Sequence, residues 1–456
     1  MIKACGNRLR SLSQLKKNVA SGAVLSCFDS VAGFIAYPIY LKYLGAEQYG
    51  LWATVSVVLT FCRLGQFGID TAITKYVAAE YGQKNPRAIT EYISTSFYIL
   101  MMPSLIIVGI LGLLNSHIAG HLFTNGAPIA NVGRIIFLVG ILSVLVLFVN
   151  VMRGVMAGIG RLDIANYVSA VGRISQVGLA VILLLFGCGI WSLYFGFLLS
   201  YVLPLTVWVL ILKYTYRLRL FKPLAFRRKK FIELLRYGGG LTMASVTNML
   251  VMPFNKLVIA RFVGLSEVAY YQIANRVITS LRGVFVQGLQ ALLPRISELK
   301  GKGDGIGENS KRIVSIHRKG MKLLLLCAFP LFALAFVFAH PLLRLWLRDG
   351  FDPQIAIAAR ILIIGWSANI LASPDYFTFL GIGRVRNIVI ATWLKTVTNI
   401  VPIILLLLLG TRLTLTTVVT LMSASLIAGA IFLKYKYVVY TKKKHQWPRV
   451  SQIFLS

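Results

Sequence analysis

Acidic residues are scarce in this chain: 14 Asp and Glu stand against 48 Lys and Arg, for a formal net charge of +34. Charged residues of both signs make up only 14% of the sequence, where soluble domains carry about 25%. With 57% hydrophobic residues and a mean hydropathy of +0.76, that shortage excludes an ordinary soluble globule. It also argues against a nucleic-acid binder, because the cations fall mostly in loops between long apolar runs. Cysteine is sparse as well. Cys5, Cys27, Cys62, Cys188 and Cys327 are scattered, mostly inside apolar runs, with no metal spacing and no disulfide framework. His117 and His121 are four apart but have no third ligand nearby, so no metal site is expected. The first apolar stretch is long and lacks a small-residue cleavage site, so no cleavable signal peptide is expected.

Period-2 alternation is missing too, and the apolar runs are too long for strands. A membrane-spanning helix needs about 20 mainly apolar residues. Twelve such windows can be marked, at 19–41, 50–72, 92–114, 132–157, 164–187, 190–212, 237–260, 268–292, 321–341, 354–377, 388–409 and 413–435. The expected fold is therefore an all-α polytopic membrane protein with 12 transmembrane helices. Cations set its orientation. With the N-terminus placed in the cytoplasm, 34 Lys/Arg lie in or beside the cytoplasmic loops and tails, and only 6 on the opposite side. Both termini are thus expected inside. The chain then divides into an N-terminal half (1–212), a basic connecting loop (213–236), a C-terminal half (237–435) and a basic tail (436–456). The connecting loop, with nine Lys/Arg, acts first as a topology signal and as a tether between the halves. Lys442, Lys443 and Lys444 suit anionic membrane lipid.

Six spans per half is an even number, so the halves form two parallel six-helix bundles, and an internal repeat supports this. At one constant offset, Ser26 matches Ser245, Asp29 matches Asn248, Lys42 matches Arg261, Gly45 matches Gly264 and Arg63 matches Arg282. GIGR at 158–161 recurs at 381–384, a slightly larger offset that fits the longer loop 293–320. Parallel repeats are one way of building transporters.

Eight cations fall within spans: Arg63, Arg153, Arg173, Lys256, Arg276, Arg282, Arg360 and Lys395. Each costs roughly 2.5–3.5 kcal/mol at a bilayer centre. They are expected to face protein or a watery cavity, with Arg63, Arg173, Arg282 and Lys395 near mid-span. Polar stripes at helical spacing agree. One runs from Gly22 through Ser26 and Asp29 to Tyr40, and a second carries Ser56, Thr60, Arg63, Asp70 and Thr74. Others carry Asn166, Arg173 and Gln176; Asn248, Asn255 and Lys256; Arg276, Thr279 and Gln287; and Lys395, Thr396 and Asn399. Packing between helices accounts for the small residues of these stripes. It accounts less well for cations that outnumber the span acids Asp29, Asp70 and Asp375. Such a surplus suits an anionic cargo, phosphate above all. Asp29, with Asn248 at its repeat position, either binds a coupling H+ or Na+ or neutralises a nearby arginine.

The architecture resembles the multidrug/oligosaccharidyl-lipid/polysaccharide exporter superfamily. The segments YLGAEQYGLW (43–52), GQFGIDTAITKYVAAEYG (65–82) and GIGR (158–161) are similar to bacterial polysaccharide flippases of the O-antigen type. The resemblance implies the exporter-superfamily fold, location in the bacterial inner membrane, no catalysis and no cofactor. It also implies translocation of a polyprenyl-pyrophosphate-linked oligosaccharide from the cytoplasmic to the periplasmic leaflet by alternating access. Other glycan-assembly membrane proteins are implied as partners. The lumen cations would be Arg63, Arg173, Arg282 and Lys395, with Arg153, Lys256, Arg276 and Arg360 nearer the mouths. Three alternatives stand beside this reading: a cation antiporter of the same superfamily, a membrane glycan polymerase or ligase, and a scaffold that only recruits partners.

Overall fold

The computed structural model describes residues 2–66, 68–122, 129–218, 227–290, 292–301 and 308–443. Among them the chain is helical, with no strand. It falls into two compact units, Met1–Met249 and Leu250–Ser456. The first holds α1 (Ile2–Val55), α2 (Val57–Cys62), α3 (Ile69–Gly82), α4 (Pro86–Leu122), α5 (Ile129–Gly158), α6 (Leu162–Leu185), α7 (Trp191–Leu210) and the start of α8 (Arg228–Phe262). The second continues α8 and adds α9 (Leu265–Gln290), α10 (Leu292–Gly301), α11 (Glu308–Leu323), α12 (Phe329–Val337), α13 (Ala339–Leu347), α14 (Pro353–Leu371), α15 (Ser373–Gly381), α16 (Val385–Leu408) and α17 (Leu415–Lys443).

Among the described residues, nine helical stretches are long and apolar enough to cross a membrane, where the windows gave twelve. The difference has local causes. The first two windows fall in one apolar stretch, Ala20–Cys62, broken by non-helical backbone at Gly45. The seventh window lies in α8, where the side chains of 237–249 are outside the described residues. The eighth lies in α9, a 26-residue helix whose Gln, Arg and Asn residues lower its hydropathy. The second polar stripe needed one continuous helix from Ser56 to Thr74, and the chain does not form it. Helix stops at Val55, the run Arg63–Gln66 is a 3-10 turn, and Gly68 takes a left-handed φ of 64° before α3 begins. Gly65 and Gly68 are poor helix formers, and Gly68 supplies the positive φ that other residues resist.

The repeat seen in the sequence recurs as geometry. Gly45 and Gly264, matched at the first offset, both have positive φ, 72° and 152°. Helices α6 and α16 are each 24 residues long. Each follows a GIGR turn closed in the same way. Gly160 N donates to Ala157 O and Arg161 N to Met156 O; Gly383 N donates to Leu380 O and Arg384 N to Phe379 O. Both helices end in matching pairs of bonds around Gly187 and Gly410, the signature of a glycine C-cap.

The core of the first unit joins α3, α4, α5 and α7 through Ile69, Ile73, Val77, Ile93, Leu147, Met152, Val155 and Trp208. The connecting stretch was expected as a tether between the halves. Its described second part packs on this unit. Leu234 is fully buried in the same core. Lys230 donates to Ala88 O at 3.0 Å, pairs with Glu91 at 2.9 Å and lies 4.2 Å over the Tyr92 ring. Tyr92 in turn donates to Glu233 at 2.7 Å. Residues 219–226 lie outside the described residues.

Candidate functional site

Each unit carries its own polar cluster. In the first, Arg173 on α6 places Nε 2.9 Å from Asp29 Oδ1 on α1, and its Nη1 donates to Gln176 Oε1 at 2.7 Å. Gln176 is buried one turn further along α6. The carboxylate and the guanidinium therefore neutralise one another where α1 packs along α6. Arg153, on α5, donates to Asn166 Oδ1 at 3.0 Å, within electrostatic reach of Asp70. Asn166 is buried and passes the network on to Ser21 Oγ at 3.1 Å. Asn18, also on α1, accepts from Asp163 N beside the first GIGR turn. Because the side chains of Arg173 and Asp29 are 25% and 40% exposed, screening limits the pair's worth. Asp29→Asn is expected to cost about 1 kcal/mol or less, seen as a small drop in unfolding temperature of the solubilised protein.

The second unit differs in kind. Arg282 on α9 donates Nε to Asn369 Oδ1 at 3.1 Å, and its guanidinium lies 5.0 Å from the centroid of Trp366; both partners are on α14. Trp366 is itself fixed by donating Nε1 to the buried Asn275 at 3.1 Å. These partners are neutral. They orient the guanidinium and leave its charge in place. Lys395 on α16 is close enough for its charge and that of Arg282 to repel one another. One turn beyond it, Asn399 is fully buried with neither side-chain atom hydrogen-bonded to the described residues. A guanidinium fork and an ammonium point charge near each other are the kinds of donor that suit an anion.

The remaining site candidates scatter. Lys256 is partly buried on α8, beside the fully buried Asn255, and has no ion pair among the described residues. Arg276 lies six residues before Arg282 on α9, about 120° around the helix. Arg360 donates to Phe336 O at 3.2 Å and Val337 O at 3.5 Å, closing the carbonyl end of α12. Arg63 opens the 3-10 turn, and its side chain lies outside the described residues, as does that of Asn248. The sequence reading did not single out Asn369, Trp366 or Asn275, which hold the Arg282 cluster together. An Asn or Trp in an apolar helix carries no charge signal, and only the α9–α14 contact reveals its role. A cavity of about 470 Å³ in the first unit, lined by Phe97, Tyr98, Met101, Leu145, Phe148, Leu205 and Val209, holds no cation and is separate from these clusters.

A family profile described as polysaccharide biosynthesis protein matches residues 42–356. A Shigella flexneri protein named as an O-antigen transporter is 20% identical over 353 residues, 77% of this chain and 80% of that protein. Among solved structures, an inward-facing multidrug resistance MATE family transporter of the MOP superfamily superposes with a TM-score of 0.71 at 17% identity. That match covers 91% of this chain and 96% of the other. The lipid II flippase MurJ, in an inward closed conformation, gives 0.72 at 15% identity, covering 91% and 87%. At such identities the solved structures speak for the fold, and the profile speaks for the family. This multi-pass membrane protein, built on the fold of MOP-superfamily transporters, belongs to the polysaccharide biosynthesis protein family.

Proposed function

We propose that the chain is a flippase. It carries polyprenyl-pyrophosphate-linked oligosaccharide units across the bacterial inner membrane, from the cytoplasmic to the periplasmic leaflet, for O-antigen or another surface polysaccharide. The observation that carries this reading is the Arg282–Lys395 cluster, where Arg282 is held by the neutral Asn369 and Trp366 with the charge of Lys395 close by, inside a membrane-embedded unit. Placing charge there is costly, and a diphosphate is an anion that offsets that cost. Arg173 is tied to Asp29 and serves the first unit's packing, so Asp29 acts as a counter-ion rather than as the coupling site. Both termini lie in the cytoplasm, movement is by alternating access, and no bond in the cargo is made or broken. Other glycan-assembly proteins in the membrane deliver and receive the cargo.

A cation antiporter shares the fold, but a cationic cluster repels its cargo. Deletion and complementation test the proposal. Loss of the gene should remove surface glycan and pile up lipid-linked repeat units on the inner leaflet, and the plasmid-borne gene should reverse both. Normal surface glycan in the deletion strain would sink the reading.

A further inference from the structure

The second unit buries a titratable cluster that the cationic site does not use. On α11, Ile313, His317 and Gly320 fall on one buried stripe that continues to Leu324. His317 is 5% exposed, and its Nε2 lies 2.9 Å from Oδ1 of Asp375 on α15, a residue with no exposed surface. The Tyr437 ring of α17 stacks on the imidazole at 3.9 Å and 16°. Lys434, also on α17 and with a side chain 48% exposed, places Nζ 3.8 Å from the same Asp375 oxygen. The second carboxylate oxygen, Asp375 Oδ2, and the Tyr437 hydroxyl are buried without a hydrogen-bond partner among the described residues. Asp375 is the one buried acid of this unit among the described residues.

An ionised carboxylate only accepts hydrogen bonds. With Asp375 ionised, the hydrogen between the two groups sits on His317 Nε2, and Nδ1 is the nitrogen left with a lone pair. Resting on the transport reading above, we propose that His317 and Asp375 form a proton-binding site that couples cargo movement to a proton gradient. A hydronium ion gives one proton to Nδ1, its O–H bond breaks as the N–H bond forms, water leaves, and the imidazole becomes an imidazolium. The His317–Asp375–Lys434 group then passes from neutral to singly positive. Lys434, the looser and half-exposed partner, is then free to leave.

The charged surroundings permit this. Arg318 on α11 and Tyr440 on α17 act on Tyr437, and Arg384 of the second GIGR turn lies 4.6 Å over Tyr440. From α10, Arg295 and Glu298 are paired with each other at 2.8 Å. Arg386, at the start of α16, is exposed, and Arg282 of α9 is engaged by Asn369 of α14. The cluster also sits where it can act on packing. Asp375 follows Pro374, which a Cβ at Gly320 of α11 would approach to 3.9 Å, and α15 runs directly into the second GIGR turn.

Two measurements on the full-length protein decide the matter. Infrared difference spectra taken between about pH 8 and pH 5 should show, above the signal of the other four histidines, an imidazolium band that His317→Gln removes. Asp375→Asn keeps the shape of the site, should remove the band too, and serves where His317→Gln fails to accumulate. In everted vesicles given a short-chain polyprenyl-pyrophosphate sugar with a fluorescent tag, wild-type flipping should be severalfold faster with a proton gradient. His317→Gln should flip at one rate with or without a protonophore. A band of wild-type intensity in both variants, or flipping in His317→Gln that still responds severalfold to the gradient, overturns the proposal. Wild-type vesicles that flip nothing would sink the transport reading instead, and the infrared result would still decide whether the pair binds a proton.

Discussion

Arg282→Glu should lower surface glycan at least tenfold in a complementation strain, with the protein still inserted at close to wild-type level. The expected size comes from the contact itself. A hydrogen bond to a charged group is worth about 1.5–3 kcal/mol, roughly a ten- to hundredfold change in an equilibrium or rate. Reversal does more than delete the contact. A carboxylate next to Lys395 forms an ion pair in place of the cargo, so the site is blocked and its surplus positive charge is cancelled. Arg282→Lys separates the two properties of arginine. It keeps the charge and loses both the Nε hydrogen bond to Asn369 and the guanidinium contact with the Trp366 ring, so an intermediate, severalfold loss is expected. Immunoblots of membrane fractions beside surface-glycan gels make the measurement. Normal glycan with Arg282→Glu would remove the cluster from the cargo path and leave room for the scaffold reading.

The second large effect is on stability, at the α3–α5 contact. A Cβ at Gly154 would stand 2.6 Å from the backbone oxygen of Asp70 and 2.7 Å from Ile73 Cγ2. One turn on, a Cβ at Gly158 would stand 2.8 Å from Val77 Cβ and 2.9 Å from Thr74 O. The Thr74 hydroxyl donates to Gly154 O at 3.1 Å, so the two helices meet backbone to backbone. This is close packing through small residues. Gly154→Leu must push the helices apart, at a cost of about 1–3 kcal/mol for overpacking alone, with the Thr74 bond lost in addition. Most of the folded protein should be lost, read as a collapsed monodisperse peak on size exclusion after solubilisation. Gly154→Ala should cost less. Wild-type behaviour of Gly154→Leu would mean that the two helices are not in contact in the membrane.

Much of this architecture was legible because membrane insertion leaves plain marks. Apolar runs, cations in alternate loops and two GIGR turns are local properties of the chain, and the second turn repeats the hydrogen bonds of the first. Breaks in the runs were harder to see. The second stripe failed at Ser56 and again at Arg63–Gly68, because hydropathy counts side chains and does not register a backbone that leaves the helix. His317 was hidden for a related reason. Residues 293–320 looked like a cytoplasmic loop, yet most of α10 and α11 lie there, and only the helix puts His317 on a buried stripe.

The sequence by itself determined the class, the internal repeat and the cost of the eight embedded cations, since each follows from composition and spacing, and the segments at 43–52, 65–82 and 158–161 carried the family resemblance. Tertiary structure alone decided which cations meet a counter-charge. Arg173 meets Asp29, Arg360 meets backbone carbonyls, and Arg282 meets the neutral Asn369 and Trp366. A charge's worth depends on what lies within a few ångströms of it. For Arg282 and Arg173 those neighbours come from helices far away along the chain, α14 and α1, so no local pattern could announce them.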